Sequence, residues 1–414
     1  MSDYVTKESI LHQLSNLKQL TFEVTDACNL NCTYCSYGDF YNDYDKRENK
    51  KLPIKSAKIL LDYLSGLWKS EYNVSTQRNV YISFYGGEPL LNMQFVKEIV
   101  DYVKALICPT RSFTFSMTTN AILLHEYMDY LVEKEFNLLI SLDGNEKNTA
   151  YRVDKRNRPA FKRVVDNVNN LKGKYPKYFE QRVNFNAVLH NKNSVGDIYK
   201  FFKENYNKIP SIGELNNNGV KPDKEELFMQ AYRNAQESLA QAENYTTIEK
   251  DMFMNTVNYQ SALIYLHQYS NFVYKNYNEL IYGVGYGKRI PTGTCIPFGK
   301  KMFVTVNGKI LPCERIGQQF ALGAIIGNKV SLDLDAIAAR YNSYFSKLER
   351  QCSHCYNVKS CIQCVFNLRD LDSHPICYGF MDKSAFDVYE KKQLRFLQYN
   401  PEEYYRIMEE VIIE

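Results

Sequence analysis

The sequence lacks any apolar run long enough to span a membrane, and its first residues, Met-Ser-Asp-Tyr-Val-Thr-Lys, do not form a signal peptide. It also lacks an excess of either charge. The net charge of +4 is small for 414 residues and argues against nucleic acid or an anionic membrane as a partner. We therefore expect a cytoplasmic protein. Disulfides are rare in that compartment, so the eleven cysteines predict metal binding.

The rest of the composition, 45% hydrophobic and 24% charged, is that of an ordinary globular protein, and the length predicts two or three domains. From Leu20 onward, apolar segments alternate with amphipathic ones, which predicts an α/β fold of about six parallel strand–helix units, a partial TIM-like barrel. We expect this barrel over residues 1–210, a helical bridge over 211–285, a small cysteine-rich domain over 286–380 and a helical tail over 381–414. Within the bridge, Asp223 and Thr246 each precede a glutamate by three residues and predict two helix starts, the second helix being long.

Three cysteines, Cys28, Cys32 and Cys35, follow the first predicted strand at spacings that fit one tight loop. Three thiolates can hold three irons of a cubane cluster, which leaves the fourth iron open to a small chelating molecule. A closed zinc site or a complete ferredoxin-type site would need a fourth cysteine nearby, and none follows. The spacing therefore favours an open iron–sulfur cluster over a zinc half-site or a chance group of buried thiols.

Seven further cysteines lie between residues 295 and 377. Asn307-Gly308 between two apolar runs predicts a β-hairpin, which Cys295 precedes and Cys313 ends. The remaining five are Cys352, Cys355, Cys361, Cys364 and Cys377. Pairs of the form Cys-x2-Cys also occur in zinc ribbons, so spacing alone leaves zinc open here. Cys108 belongs to neither set, and we expect a buried apolar thiol.

The pattern Cys-x3-Cys-x2-Cys with Tyr34 before its third cysteine resembles the signature of the radical S-adenosylmethionine (SAM) enzymes. The order of the later cysteines resembles the SPASM extension of that family, except that two residues instead of three precede the sixth cysteine. The resemblance implies SAM and three [4Fe–4S] clusters, one of them bound by Cys28, Cys32 and Cys35. It assigns one auxiliary cluster to Cys352, Cys355, Cys361 and Cys377, and the other to Cys295, Cys313 and Cys364. Lys300 and Lys301 stand where some members have an extra cysteine, so this last cluster is expected to have an open iron.

Polar motifs at the ends of predicted strands resemble the SAM pocket of the same family. Gly86-Gly87-Glu88-Pro89 resembles the motif that holds the methionine amino group, through a carboxylate or through main-chain oxygens. Ser141 and Asp143, with Arg152 downstream, resemble the stretch that contacts the ribose and the methionine carboxylate. Small polar residues at the end of the third predicted strand, Ser116, Thr119 and Asn120, suit a ribose, and Val188 near the end of a later strand is expected beside the adenine. Without the resemblance, these motifs would be surface turns and a solvated arginine.

The family relation implies a peptide or protein substrate. We expect maturation of a ribosomally synthesised precursor peptide: a 5′-deoxyadenosyl radical takes a hydrogen atom, and loss of a further electron completes a cross-link or related modification. The alternative within the family is oxidation of a Cys or Ser of a sulfatase to formylglycine. Glu314, directly after Cys313, is a candidate general base in either reaction, or else an exposed glutamate. An alternative from another class of function is a non-catalytic metal or iron–sulfur scaffold.

Partners follow from the same resemblance. Only about twenty residues precede the first predicted strand, fewer than the N-terminal module with which many maturases hold a leader peptide. We therefore expect a separate leader-binding protein, the helical bridge, or the aromatic and charged loop 36–52 to present the precursor; that loop could equally be a solvated surface loop. A reductant such as flavodoxin or ferredoxin is expected to supply electrons.

Overall fold

The computed structural model describes residues 4–74, 79–270, 273–274, 280–281 and 290–411. The chain forms two compact units. The sheet unit comprises Glu8–Ile248 and Ile296–Leu334, and the helical unit comprises Met1–Lys7, Glu249–Cys295 and Asp335–Glu414. The predicted bridge is thus divided, since its first part belongs to the sheet unit and its last part to the helical unit.

Ten strands lie in the described part of the sheet unit. They are β1 (Gln19–Thr25), β2 (Asn79–Gly86), β3 (Ser112–Thr119), β4 (Asn137–Ser141), β5 (Val183–Leu189), β6 (Ser211–Glu214), β7 (Met302–Val304), β8 (Lys309–Leu311), β9 (Gly323–Ile326) and β10 (Lys329–Leu332). They form one sheet in the order β10-β9-β8-β7-β1-β2-β3-β4-β5-β6, in which β1 to β6 are all parallel to their neighbours. This confirms the predicted partial barrel of six parallel strands.

Helices connect the parallel strands and cover the sheet. In chain order they are α1 (Lys7–Ser15), α2 (Ile54–Trp68), α3 (Met93–Ala105), α4 (Leu124–Glu133), α5 (Phe161–Lys174), α6 (Pro176–Arg182), α7 (Val195–Tyr206), α8 (Glu225–Ala231), α9 (Ala235–Ala240), α10 (Tyr245–Met252), α11 (Val257–Tyr269), α12 (Leu334–Ser353), α13 (Lys383–Tyr399) and α14 (Pro401–Glu410). Strand β1 is buried on both faces from Leu20 to Thr25, as expected for a parallel strand with cover on each side.

The predicted hairpin is confirmed, because β7 and β8 pair antiparallel and Gly308 between them has a φ of +76°. That positive φ is the left-handed conformation that a glycine adopts without strain. Strand β7 also pairs parallel with β1, with Phe22 opposite Val304. The hairpin therefore continues the sheet of the barrel, although we expected it in a separate C-terminal domain.

Both capping-box predictions in the bridge are wrong. A 3₁₀ turn over Pro222–Lys224 begins at a proline, whose fixed φ favours the first helical position, so Asp223 lies inside that turn and α8 begins after it. At α10 the first intrahelical bond already runs from the amide of Ile248 to the carbonyl of Asn244 at 3.0 Å, so Thr246 lies inside the helix. A second 3₁₀ turn then separates α10 from α11 in place of one long helix.

The helical unit contains α11 to α14. Tyr259 and Leu266 of α11 are buried with Ile407 of α14 in one apolar cluster, and Phe396 of α13 packs against it. None of the helices in the described ranges is both long and apolar enough to cross a membrane. In the sheet unit, Cys108 is buried, as predicted.

Candidate functional site

The three N-terminal cysteines lie on the loop that leaves the C-terminal end of β1. The turn after β2 backs this loop, because the amide of Gly87 donates to the carbonyl of Thr25 at 2.8 Å and the amide of Glu88 donates to the carbonyl of Ala27 at 2.9 Å. A Cβ on Gly87 would lie 2.1 Å from the oxygen of Ala27. The two glycines of the predicted motif therefore allow the end of β2 to press against the cysteine loop.

A pocket of about 190 Å³ opens beside this loop at the C-terminal ends of the parallel strands. Eleven of the predicted site residues line it: Cys28, Cys32, Tyr34, Cys35, Gly86, Gly87, Thr119, Asn120, Ser141, Arg152 and Val188. Of the residues predicted to bind the N-terminal cluster or SAM, four do not line it, namely Glu88, Pro89, Ser116 and Asp143. The structure thus brings together side chains from the ends of several strands, where barrels carry their chemistry.

Glu88 is fully buried and its carboxylate faces the protein. One carboxylate oxygen accepts from the hydroxyl of Thr119 at 2.7 Å and from the amide of Leu90 at 3.1 Å, and the other accepts from the amide of Asn120 at 2.7 Å. Burial raises the pKa of Glu88 to about 7, although these hydrogen bonds act in the opposite direction. The carboxylate of Glu88 therefore binds the end of β3. If this motif accepts a hydrogen bond from an ammonium group, the acceptors left for that role are its main-chain oxygens.

Some residues at the end of β3 line the pocket and others do not. Asn120 lines the pocket, and its amide nitrogen donates to Oδ1 of Asn29 at 2.7 Å and lies 3.7 Å from the Sγ of Cys28. The hydroxyl of Ser116, by contrast, pairs with the hydroxyl of Ser83 at 2.7 Å. Ser116 lies two residues before Thr118, which lines the pocket, so Ser116 is further down the strand and outside the lining.

Asp143 and Arg152 form a buried ion pair behind the pocket. Arg152 donates to the two carboxylate oxygens of Asp143, from Nε at 3.0 Å and from Nη2 at 2.9 Å. Tyr34 and the amide of Val188 also donate to this carboxylate. Burial opposes the ionisation of Asp143, but the charge of Arg152 and the hydrogen bonds of His190, Arg152 and Tyr34 outweigh it and hold the pKa of Asp143 at about 2. Asp143 therefore orients Arg152 and Tyr34.

Loop 36–52 is a packed wall of the site. Phe40 and Tyr41 are buried in a cluster with Tyr34 and Phe228. Backbone hydrogen bonds join the loop to the segment after β6, from Lys221 to the carbonyl of Phe40 at 2.8 Å, and to the segment after β8, from Gln318 to the carbonyl of Asp43 at 2.8 Å. These contacts favour the active-site interpretation of the loop over a solvated surface loop.

Sequence reasoning missed four residues around Cys35, namely Glu23, Tyr37, Arg47 and Tyr85. Tyr37, Arg47 and Tyr85 line the pocket, and Glu23 lies directly behind Tyr37, whose hydroxyl donates to it. The aromatic and charged composition of loop 36–52 was the one signal available. It could not indicate which of its side chains turn inward, because that depends on contacts with residues distant in sequence.

Glu314 lies in the sheet unit and outside the set of residues that line the pocket. It pairs with Lys301 at 3.0 Å, and both side chains are largely buried, so it is not the exposed glutamate of the alternative interpretation. Burial opposes ionisation here too, but the charge of Lys301 outweighs it and lowers the pKa of Glu314. Glu314 is thus a carboxylate at neutral pH.

The later cysteines are distributed over both units. Cys352, Cys355, Cys361 and Cys377 lie in the helical unit, close enough for Cys352 to interact electrostatically with the other three. Cys295 and Cys364 neighbour each other in the same unit, whereas Cys313 belongs to the sheet unit. Within the described ranges, no group of three or more Cys, His, Asp or Glu side chains could hold a single metal ion. A cubane does not require such convergence, because each thiolate binds a different iron.

The donor set around the pocket suits an iron–sulfur cluster. The Sγ of Cys28 accepts from the amide of Leu30 at 3.4 Å, and hydrogen bonds to sulfur are a general feature of such clusters. Burial is the main reason that the pKa of Cys28 is raised to about 11 and that of Cys32 to about 12. Without a metal these thiols hold their protons, so cluster uptake must release them. Three thiols that line one pocket with polar side chains suit a cluster with one open iron.

Comparison with known proteins gives three results. Residues 22–204 match the Radical SAM superfamily. The cysteine-type anaerobic sulfatase-maturating enzyme of Clostridium novyi is 30% identical over 199 residues, which is 46% of this chain and 49% of that one. The radical SAM cyclopropyl synthase TigE of Paramaledivibacter caminithermalis is 21% identical over 396 residues, which is 90% of this chain and 72% of that one.

Among solved structures, native anSMEcpe with bound AdoMet superimposes with a TM-score of 0.59 at 18% identity and covers 95% of this chain and 100% of that chain. At this identity the match shows a shared fold. The alignments with curated relatives at 30% identity or more span between 36% and 56% of the length of those relatives.

Proposed function

Because the chain is a radical SAM enzyme of the SPASM branch, we propose that it is a peptide maturase. It takes a hydrogen atom from a ribosomally synthesised precursor peptide and completes an oxidative cross-link or a related modification. The observation that carries this proposal is the alignment with the cyclopropyl synthase, which covers 90% of this chain, whereas the alignment with the sulfatase-maturating enzyme covers 46% of it.

Some residues around the pocket are proposed to bind the cluster and SAM, and others to orient the residues that bind them. A radical SAM domain binds a [4Fe–4S] cluster and SAM, and in this chain Cys28, Cys32 and Cys35 are the thiolates proposed to hold that cluster. The bound pair supplies hydrogen-atom abstraction, chemistry that no amino-acid side chain provides. Gly86, Gly87, Thr119, Asn120, Ser141, Arg152 and Val188 are proposed to hold SAM. Asp143 fixes the planar guanidinium of Arg152 so that its remaining N–H groups stay directed at the pocket.

The later cysteines are proposed to hold two auxiliary clusters, which brings the total to three. Within the helical unit, Cys352, Cys355, Cys361 and Cys377 provide the four thiolates that a closed cubane needs. The second auxiliary cluster is proposed with the ligands that the sequence predicts. A reductant such as flavodoxin or ferredoxin, a separate leader-binding protein and a cytoplasmic location complete the proposal, and the reduced thiols suit that compartment.

The second candidate function is formylglycine formation in a sulfatase. One observation favours it, the 30% identity over 46% of this chain with a sulfatase-maturating enzyme. The two functions share the hydrogen abstraction and differ in substrate and product.

The experiment that separates them is anaerobic co-expression of this chain with any short peptide found to be encoded beside its gene. We expect the peptide to lose hydrogen atoms in pairs, as judged by high-resolution mass spectrometry, and to remain unchanged with the alanine variant of Cys28, Cys32 and Cys35. A sulfatase-type peptide with a central Cys or Ser should stay free of aldehyde. Aldehyde formation in that peptide, with no change in the precursor, would overturn the proposal in favour of sulfatase maturation.

Glu314→Gln tests the proposed general base. The amide cannot accept a proton, so we expect product formation to fall by about 10²-fold while 5′-deoxyadenosine still forms, because proton removal follows hydrogen abstraction. Both products are measured in the same anaerobic assay. Glu98→Gln is the matched control, since Glu98 pairs with Lys58 on the surface of the same unit. Equal product yields from the two variants would remove Glu314 from the reaction.

A further inference from the structure

Arg47 reaches one of the three cluster cysteines. Its Nη2 donates to the Sγ of Cys35 at 3.3 Å, and Arg47 and Cys35 both line the pocket. Cys35 is thereby the one of the three N-terminal cysteines whose sulfur accepts from a charged donor among the hydrogen bonds of the described residues. Hydrogen bonds from ionised donors are roughly twice as strong as neutral ones.

The aromatic ring of Tyr37 holds the guanidinium of Arg47 in position. Its central carbon lies 4.4 Å from the ring centroid of Tyr37, a cation–π contact. The hydroxyl of Tyr37 donates to one carboxylate oxygen of the buried Glu23, and the amide of Val306 donates to the other at 2.8 Å. Glu23 therefore anchors Tyr37, and Tyr37 provides the platform on which Arg47 rests.

The backbone around Arg47 is fixed as well. The amide of Glu48 donates to Oδ2 of Asp26 at 2.9 Å, and the hydroxyl of Thr25 donates to the carbonyl of Lys50 at 2.6 Å. The amide of Leu52 then donates to the carbonyl of Val24 at 3.1 Å. Residues 48–52 at the end of this loop are therefore hydrogen-bonded to residues 24–26, the segment that ends β1 and leads into the cysteine loop.

The positive charge of Arg47 has no carboxylate partner. Among the ion pairs of the described residues none involves Arg47, whereas Arg152 across the pocket is neutralised by Asp143. The Nε of Arg47 is buried and makes no hydrogen bond. A half-buried cation beside a thiol, with one buried N–H that lacks an acceptor, becomes more favourable when an anionic group occupies the site.

We propose that Arg47 is a positioning residue for the cluster held by Cys28, Cys32 and Cys35, and that its charge and its hydrogen bond to Cys35 raise the reduction potential of that cluster. The inference rests on the proposed function only in requiring a cluster at these cysteines. In the reduction, one electron passes from an external reductant to the cluster, no covalent bond forms or breaks, and the cluster becomes more negative by one charge. A nearby fixed cation stabilises that added charge, as hydrogen bonds to cluster sulfurs generally do.

Arg47→Met tests this without turnover. The SAM-free protein is titrated with dithionite and followed by electron paramagnetic resonance, and the spectrum of the alanine variant of Cys28, Cys32 and Cys35 is subtracted to remove auxiliary signals. At a fixed applied potential we expect the ratio of reduced to oxidised cluster to fall about tenfold, which is a downward shift of about 59 mV for a one-electron couple. An unchanged ratio at wild-type iron content would overturn the proposal.

Three further variants separate the effect of the Arg47 charge from an effect on folding. Lys46→Met removes one exposed positive charge from the neighbouring position of the same loop, and it should leave the ratio unchanged because solvent screens that charge. Arg47→Lys keeps the charge, whereas Arg47→Gln keeps a donor and loses the charge. We expect a larger reduced fraction of the cluster in Arg47→Lys than in Arg47→Gln. This comparison is available even if Arg47→Met fails to hold iron. Equal ratios for these two variants would exclude an electrostatic role.

Failure of this proposal is distinguishable from failure of the proposed function. If the chain modifies sulfatases instead of precursor peptides, the titration is unaffected, since neither substrate nor SAM is present. If the triple alanine variant retains the wild-type iron content, no cluster is bound at these cysteines and the maturase proposal fails first. If iron is lost in the triple variant and Arg47→Met titrates as the wild type does, only the role of Arg47 is overturned.

Discussion

Changing Cys28, Cys32 and Cys35 together to alanine is expected to lower the iron content from about twelve to about eight atoms per chain and to abolish SAM cleavage. The three thiolates are proposed to hold one cubane, and the auxiliary cubanes depend on other cysteines. The variant should still fold, because these cysteines lie on a loop whose backbone is held by β1 and the turn after β2. Anaerobic measurement of iron, sulfide and zinc per chain, alongside 5′-deoxyadenosine formation, gives the result.

Cys108→Ala is the matched control, since Cys108 is buried in the same unit and belongs to neither cysteine set. It should keep about twelve irons and normal SAM cleavage. About four irons in the wild type falling to none in the triple variant, with about two zinc ions retained, would mean that the C-terminal cysteines bind structural zinc. Electron removal through auxiliary clusters would then have to be abandoned. A wild type that cleaves no SAM under strong reductant would instead favour the non-catalytic scaffold.

Most of the fold was predictable because its signals are local. The parallel strands are short segments in which apolar residues recur, as in β5, where Val183, Phe185, Ala187 and Leu189 are buried. Asn307-Gly308 indicates the hairpin because few residues other than glycine adopt the positive φ of that turn. The cysteine loop was equally readable, because Cys28, Cys32 and Cys35 lie within eight residues of one another in the sequence.

What the sequence could not reveal depends on contacts between distant segments. Glu88 sits in a recognisable motif, but its carboxylate turns to Thr119 and Asn120, and only the spatial adjacency of β2 and β3 decides that direction. The pairing of β7 with β1 likewise joins segments that lie far apart in the chain. Arg47 is one of several charged residues in loop 36–52. Its role follows from Tyr37 beneath it and Cys35 beside it, and neither contact has a sequence signature.

Asp143→Asn is expected to destabilise the sheet unit by about 3–5 kcal/mol, because it leaves the charge of Arg152 buried without a partner. The change should also weaken SAM binding, since the same carboxylate orients Tyr34 and the guanidinium that line the pocket. Urea unfolding can be followed by the fluorescence of Trp68, the single tryptophan, which is fully buried in the sheet unit. Adding Arg152→Met to the variant should recover part of the loss, because no unpaired charge then remains.

The pH dependence of this loss has a definite sign. The pKa of Asp143 is depressed in the folded protein to about 2 from an ordinary value of 3.8, so its stabilising contribution is fully present above about pH 4 and is lost as the pH falls through about 2. The difference in unfolding free energy between wild type and Asp143→Asn should follow that course. Asp129→Asn is the control, because Asp129 pairs with Lys174 in an exposed bridge that contributes little. If the two variants unfold at the same urea concentration near neutral pH, the buried pair does not hold the pocket together, and the orientation of Arg152 must come from the surrounding packing.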